Sequence, residues 1–193
     1  YVFDKNTFKV FDDFELVAIP EPRKYDYVTD SIEKTYELIN NTIQNFIENL
    51  PVKTKPRIVM YHGEIKGAVF DNGMTASSPV ALHKDLLLKT NADYIACGHI
   101  HYPQKVFDNC YYAGSCFPVN AGEHHLSCFN DVTIDNETSV QKVSFGFPVN
   151  ITEECLYLEL DKFKKRDFHG ANLTVKLKLE KILKKSFDQR KLE

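Results

Sequence analysis

Apolar residues recur along this chain with two different periods, and the alternation between them marks out its elements. Tyr1–Phe3 and Phe8–Phe11 are short strand-like runs around a turn at Asp4-Lys5-Asn6, and Phe14–Ile19 reads as a further strand stopped by Pro20. Pro20 and Pro22 stiffen the connector that follows. Ile32, Tyr36, Ile39, Ile43, Phe46, Ile47 and Leu50 then recur at steps of three and four, which predicts an amphipathic helix packed on a sheet. Asp30 stands at its expected N-cap, Glu33 occupies the capping-box position, and Pro51 stops it.

Arg57–Tyr61 is a continuous apolar run of the kind buried on both faces of a sheet, and it ends at His62-Gly63. A loop with Gly67, Gly73, Ser77 and Ser78 leads to a second expected helix, which starts near Pro79 and carries Leu82, Leu86 and Leu87. Asp93–Cys97 is a second buried-type strand, and it ends at Gly98-His99-Ile100-His101. Two strand–loop units thus deliver histidines at the carboxyl end of a strand, the edge where open α/β sheets bind ligands. Beyond Pro103 the pattern turns to short β runs at Gln104–Phe107, Cys110–Ala113, His125–Ile134 and Val140–Phe145, with turn dipeptides Asp108-Asn109 and Asp135-Asn136, and this half reads as antiparallel. A small new unit is expected from Ile151, with strands at Leu156–Leu160 and Leu173–Leu179. The fold class is α/β, divided into 1–150 and a small 151–193 unit.

Composition narrows the classes. The 193 residues suit one domain or one domain with an appendage, and 43% hydrophobic with 26% charged residues excludes wholesale disorder. No apolar run approaches the roughly 20 residues a membrane span needs, and no signal peptide is expected. A net charge of −3 does not mark a nucleic-acid binder, although it allows a local basic face. Lys162, Lys164, Lys165 and Arg166, or Lys176, Lys178, Lys181, Lys184 and Lys185, read first as solvated surface and second as phosphate contacts. Cys97, Cys110, Cys116, Cys128 and Cys155 form no CxxC, so the expected setting is reducing and cytoplasmic, with the thiols acting as small buried hydrophobes.

The chemistry-bearing residues are histidines. His99 and His101 lie two apart on a loop opened by Gly98, which bends without a Cβ clash, and His62 ends a neighbouring strand. Neutral imidazole is a common ligand of zinc, manganese and iron, but a strand-end His also serves as a hydrogen-bonded structural residue. Glu64 reads as a loop carboxylate, Ser115 has no assignable base, His124-His125 reads as structural or loop-exposed, His83 as a surface residue of the second helix, and His169-Gly170 as a turn.

Tyr61-His62-Gly63 followed by Gly98-His99-Ile100-His101 resembles the last two motifs of the calcineurin-like metallophosphoesterases. The stretch Asp93-Tyr94-Ile95-Ala96-Cys97-Gly98-His99-Ile100-His101-Tyr102-Pro103-Gln104 is similar to the SbcD branch, where the motif is written D-Y-x-A-x-G-H-x-H-x-P-Q. Tyr112-Ala113-Gly114-Ser115, with Glu123 beyond it, resembles that branch's Y-x-G-S…E segment, and Ile19-Pro20 also fits. The resemblance covers about Phe14 to Phe147. It implies half of a four-layer metallophosphoesterase sandwich and two-metal phosphodiester hydrolysis at DNA ends. His62 and His99 would share one ion, His101 would bind its neighbour, and the ions would be manganese. The implied partners are DNA, an SbcC-type ATPase subunit and a second copy of the intact protein, with a capping domain starting near Ile151.

The family's D-x-H, G-D and G-N-H-D motifs, which supply a bridging Asp, an Asn ligand and a His acting on the leaving group, do not occur here. Asp71-Asn72-Gly73 and Asp93-Tyr94 do not replace them. Because the chain opens at Tyr1 where the family runs just past G-N-H-D, the expectation is the second half of a nuclease domain, inactive in isolation. Two other functions stay open: a calcineurin-like phosphoesterase acting on nucleotides, phosphoproteins or lipids, and a non-catalytic scaffold of the same fold.

Overall fold

The computed structural model of the chain describes residues 2–119, 123–146, 149–156 and 171–178. Lys162, Lys164, Lys165, Arg166, His169, Lys181, Lys184 and Lys185 lie outside these residues, as does most of the expected Leu156–Leu160 strand.

A mixed six-stranded sheet carries the fold. Its strands are β1 (Thr7–Val10), β2 (Glu15–Ile19), β3 (Arg57–His62), β4 (Tyr94–Gly98), β5 (Gln104–Phe107) and β6 (Cys110–Tyr112), in the spatial order β1-β2-β3-β4-β6-β5. β2, β3, β4 and β6 run parallel, while β1 and β5 close the two edges antiparallel. The parallel pairing of β6 with β4 corrects the expectation of a wholly antiparallel second half: the tight β5–β6 hairpin turns the chain back beside β4. β7 (Cys128–Ile134) and β8 (Thr138–Ser144) form a separate antiparallel hairpin. β9 (Val149–Leu156) and β10 (Ala171–Lys178) form a parallel pair, so the expected strand boundaries in this unit move toward the N-terminus.

Helix α1 (Ile32–Glu48) crosses from β2 to β3 and packs Ile39, Ile43 and Ile47 against Val17, Ile19, Val59, Tyr61, Ile95 and Cys97. Each such aliphatic burial contributes about 1.5–3 kcal/mol, so this interface dominates the core. Its N-cap is Ser31, whose side chain accepts the Lys34 N–H at 3.2 Å, and not Asp30, which pairs with the Lys34 ammonium at 2.7 Å. Ser31 has the extended backbone that a cap requires.

The second helix is shorter than its apolar spacing suggests: α2 spans Lys84–Leu88 only. Leu82 instead stays extended, donating its N–H to Glu64 O at 2.9 Å and accepting from Lys66 N at 2.9 Å, which removes Pro79–His83 from any helix. The expected burial of β3 on both faces also fails. Val59 and Tyr61 are buried under α1, but Met60 is 48% exposed on the opposite face. A groove of about 630 Å³ lies along that face, bounded by Phe3, Ala18, Met60 and Ala96 and ending at Glu21, His62 and Gly98.

The lower end of the parallel strands is tied by a buried ion pair. Arg57 donates from Nε to the Glu15 carboxylate at 2.8 Å, with Nη2 2.7 Å from the same oxygen, and donates to Thr90 O at 2.9 Å and to Pro51 O at 2.7 Å, while Thr54 donates from its N–H and hydroxyl to Glu15. Glu15 and Arg57 are also register partners of β2 and β3. Desolvation pushes the Glu15 carboxyl up, but the bonds from Thr54 and Arg57 outweigh it and hold the group down at about 2.

Two outcomes follow from this pair. Arg57→Ala leaves a buried carboxylate uncompensated and should cost about 3–5 kcal/mol, read as a lower urea midpoint. The Glu15 contribution is complete above the ordinary carboxylate value of 4.5 and is lost as pH falls towards about 2, so the urea midpoint should fall across that window, and fall less in Glu15→Gln.

Candidate functional site

The in-register parallel strands bring their carboxyl ends to one rim. Ile19 pairs with Tyr61, and His62 pairs with Gly98, so the residues that follow β2, β3 and β4 emerge side by side. Glu21 leaves β2 between Pro20 and Pro22, His62 ends β3, and His99 follows the last residue of β4.

Glu21, His62 and His99 form one group whose donor atoms all lie within 4.8 Å of one another. His62 Nε2 stands 3.7 Å from Glu21 Oε2, and His99 Nδ1 stands 3.9 Å from Glu21 Oε1. The two imidazoles meet edge to face with centroids 5.7 Å apart. His99 has φ +95°, a conformation that a residue with a Cβ rarely adopts and that costs of order 1–3 kcal/mol. Gly98 is required beside it, because a Cβ there would lie 2.8 Å from His62 Nδ1.

The turn after His62 is braced from inside. Tyr112, wholly buried, donates its hydroxyl to Gly63 O at 2.6 Å and accepts the Ile65 N–H at 3.1 Å, and Tyr61 donates to Glu64 O at 2.9 Å. Burial raises both phenols above their ordinary range, so they remain protonated donors.

His101 belongs to a second group, with Asp71 and Glu123, whose donor atoms also lie within 4.8 Å of one another. The three imidazoles therefore fall into two groups, His62 with His99 and His101 apart from them. Glu123 is 1% exposed and accepts from Ser115 Oγ at 2.9 Å and Val119 N at 3.0 Å, while its other oxygen lies 2.8 Å from His101 Nδ1. Desolvation raises the Glu123 carboxyl, but the bonds from Val119, His101 and Ser115 more than offset it and leave the group below its ordinary value. A carboxylate accepts, so His101 Nδ1 is the donor of this pair, and Nε2 is the nitrogen that the pair leaves uncommitted.

Several other expectations resolve here. His125 is not loop-exposed: its side chain is 8% exposed, with Nε2 2.9 Å from Asp71 Oδ1. His124 is exposed. Ser115 does have a partner, Glu123, but as a donor holding a carboxylate. His83 precedes α2 rather than lying within it, and its Nε2 stands 2.8 Å from Lys66 Nζ. Glu64 accepts from Ser78 N at 3.2 Å. Cys97, Cys110 and Cys128 are buried, as expected of small hydrophobes, whereas Cys116 is exposed. Among the described residues no helix is long and apolar enough to cross a membrane.

Glu21 and Asp71 are the site residues that sequence reasoning missed. Glu21 carried a usable signal, since it follows a strand that runs parallel to the two His-bearing strands. Asp71 carried none, because its loop is held near His101 by long-range contacts: the Gln104 amide donates to Val69 O at 2.7 Å and accepts Val69 N at 2.8 Å, and His125 Nε2 stands 2.9 Å from Asp71 Oδ1.

Glu123→Ala should leave the sheet intact but free the His101 ring to change tautomer. Nitrogen NMR of the His101 imidazole checks this, with the Nδ1-protonated form expected in the parent and a mixture in the variant. Gly98→Ala should shift the His62 ring signals without affecting those of His101.

Compared with known protein families and with curated proteins, the chain gives no match to any family model and none to any curated protein.

Proposed function

We propose that this chain is the histidine-bearing part of a metal-dependent phosphodiesterase of the calcineurin-like type, built as one half of that family's sandwich and acting on DNA ends as an SbcD-like nuclease subunit. One observation carries the reading. His62 and His99 converge at the carboxyl rim of adjoining parallel strands, with His101 two residues further on, in the order of the motifs that the sequence resembles. The strained backbone at His99 and the missing Cβ at Gly98 support it, since both make room for ring placement rather than for packing.

The residues fit divalent ions. His62 and His99 would hold one, and His101, with Nδ1 tied to Glu123, would present Nε2 to another. Ions so held would supply a water of lowered pKa and neutralise charge developing on phosphorus; manganese suits the mixed imidazole and carboxylate donors. The chain's own part is placement. Tyr112 fixes the turn that aims His62, the Glu123 carboxylate fixes the His101 tautomer, and the Glu21, His62 and His99 side chains stay open to solvent at the rim. A bridging carboxylate and a group acting on the leaving oxygen are not among the motifs of this sequence, so turnover belongs to a protein that also contains them. DNA, an SbcC-type ATPase subunit and a second copy of that protein are the partners this reading carries with it.

The test is manganese-dependent hydrolysis of linear duplex DNA by the protein that carries the remaining motifs. His62→Ala and His99→Ala should each lower turnover by about 100-fold or more, with thermal melting unchanged. Normal turnover in either variant would remove the metal assignment, and activity on small phosphodiesters without activity on DNA would transfer the reading to another phosphoesterase.

A further inference from the structure

We propose that Glu21 is a metal ligand, and that Glu21, His62 and His99 form a site for one divalent transition-metal ion which this chain completes with its own side chains. The inference rests on the metal reading of His62 and His99 given above and adds a carboxylate that the motif resemblance does not supply.

The distances favour coordination over a salt bridge. Glu21 Oε2 and Oε1 stand 3.7 Å from His62 Nε2 and 3.9 Å from His99 Nδ1, beyond the 2.7–3.2 Å range of a hydrogen bond. Two donors on one zinc-like ion, with bonds near 2.1 Å, lie roughly 3–3.5 Å apart. The two Glu21–imidazole separations need to close by only several tenths of an ångström to reach that spacing, and the two imidazole donors start no more than 4.8 Å apart. All three are at least a third exposed or nearly so, at 58%, 53% and 32%, so the movement meets no packed core. Among the described residues no hydrogen-bond donor closes on the Glu21 carboxylate.

The backbone is prepared on all three strands. Glu21 sits between two prolines whose rings fix φ, which limits the freedom lost on binding. His99 is held at φ +95°, and His62 occupies space that a Cβ at position 98 would take. Two imidazoles and one carboxylate form a donor set suited to zinc, cobalt or manganese and poorly suited to magnesium or calcium, which take oxygen ligands. The second group differs. Glu123 is 1% exposed and both its oxygens already accept hydrogen bonds, from His101, Ser115 and Val119, which accounts for its carboxylate without an ion, and the proposal does not extend to it.

Cobalt(II) titration of the chain as it stands, followed by visible absorption and by calorimetry with zinc and manganese, tests this. The expected result is one ion per chain, with affinity lowered about tenfold or more by Glu21→Gln and lost in His62→Ala and His99→Ala, while magnesium fails to compete. Circular dichroism of each variant confirms that the sheet persists. Unchanged affinity in Glu21→Gln, with loss in both His variants, would overturn the Glu21 assignment and leave the histidine reading standing. Absence of binding in the parent chain would overturn the self-contained site, whereas the proposed activity is judged separately on DNA. Binding that survives both His substitutions would place the ion elsewhere and overturn the proposal.

Discussion

The parallel register of β2, β3 and β4 is the constraint on which everything else depends. Side chains alternate across a sheet, so a slip of one residue would invert every face. In the observed register Val17, Val59 and Ile95 enter one core with Ile39, Ile43 and Ile47 of α1, and Ile19, Tyr61 and Cys97 enter it two residues further along the strands. The same register delivers His62 beside Gly98 at the upper rim. Core packing and site assembly are therefore one geometric fact seen at two heights of the sheet.

The two ends of these strands treat charge in opposite ways. At the lower end Glu15 and Arg57 are sealed from water, and each carboxylate oxygen and guanidinium nitrogen is bonded either to the other member of the pair or to Thr54, Thr90 or Pro51. Such a pair fixes register, because removing either member strands the other in a low dielectric. At the upper end Glu21, His62 and His99 stand apart and in contact with solvent, neither bonded to one another nor buried. A closed network stabilises a fold; an open group of donors can receive a ligand. His101 combines the two, its Nδ1 tied to the buried Glu123 and its other nitrogen unconstrained by that contact.

Much of the fold was legible in the pattern. The helix stripe from Ile32 and the runs before His62 and Gly98 are regular, and local periodicity reports directly on which face is buried. The larger failures had non-local causes. Leu82, Leu86 and Leu87 have helical spacing, but backbone pairing of Leu82 with Glu64 and Lys66 overrides it. The apolar run at β3 suggested burial on both faces, yet Met60 faces the open side, because an apolar residue does not by itself reveal whether something covers it. Ser31 rather than Asp30 caps α1, a difference of one residue that turns on backbone dihedrals.

The sequence by itself determined the parallel strand–helix–strand plan, the strand-end positions of His62 and His99, and the glycine that admits a ring beside it, since all of these follow from short-range period and residue type. Only the tertiary structure decided that Glu21 stands with that pair while His101 turns to Glu123 and Asp71. Those groupings join residues from strand ends and loops far apart in the chain, and which carboxylate faces which imidazole depends on strand order and loop path, quantities that no local pattern encodes.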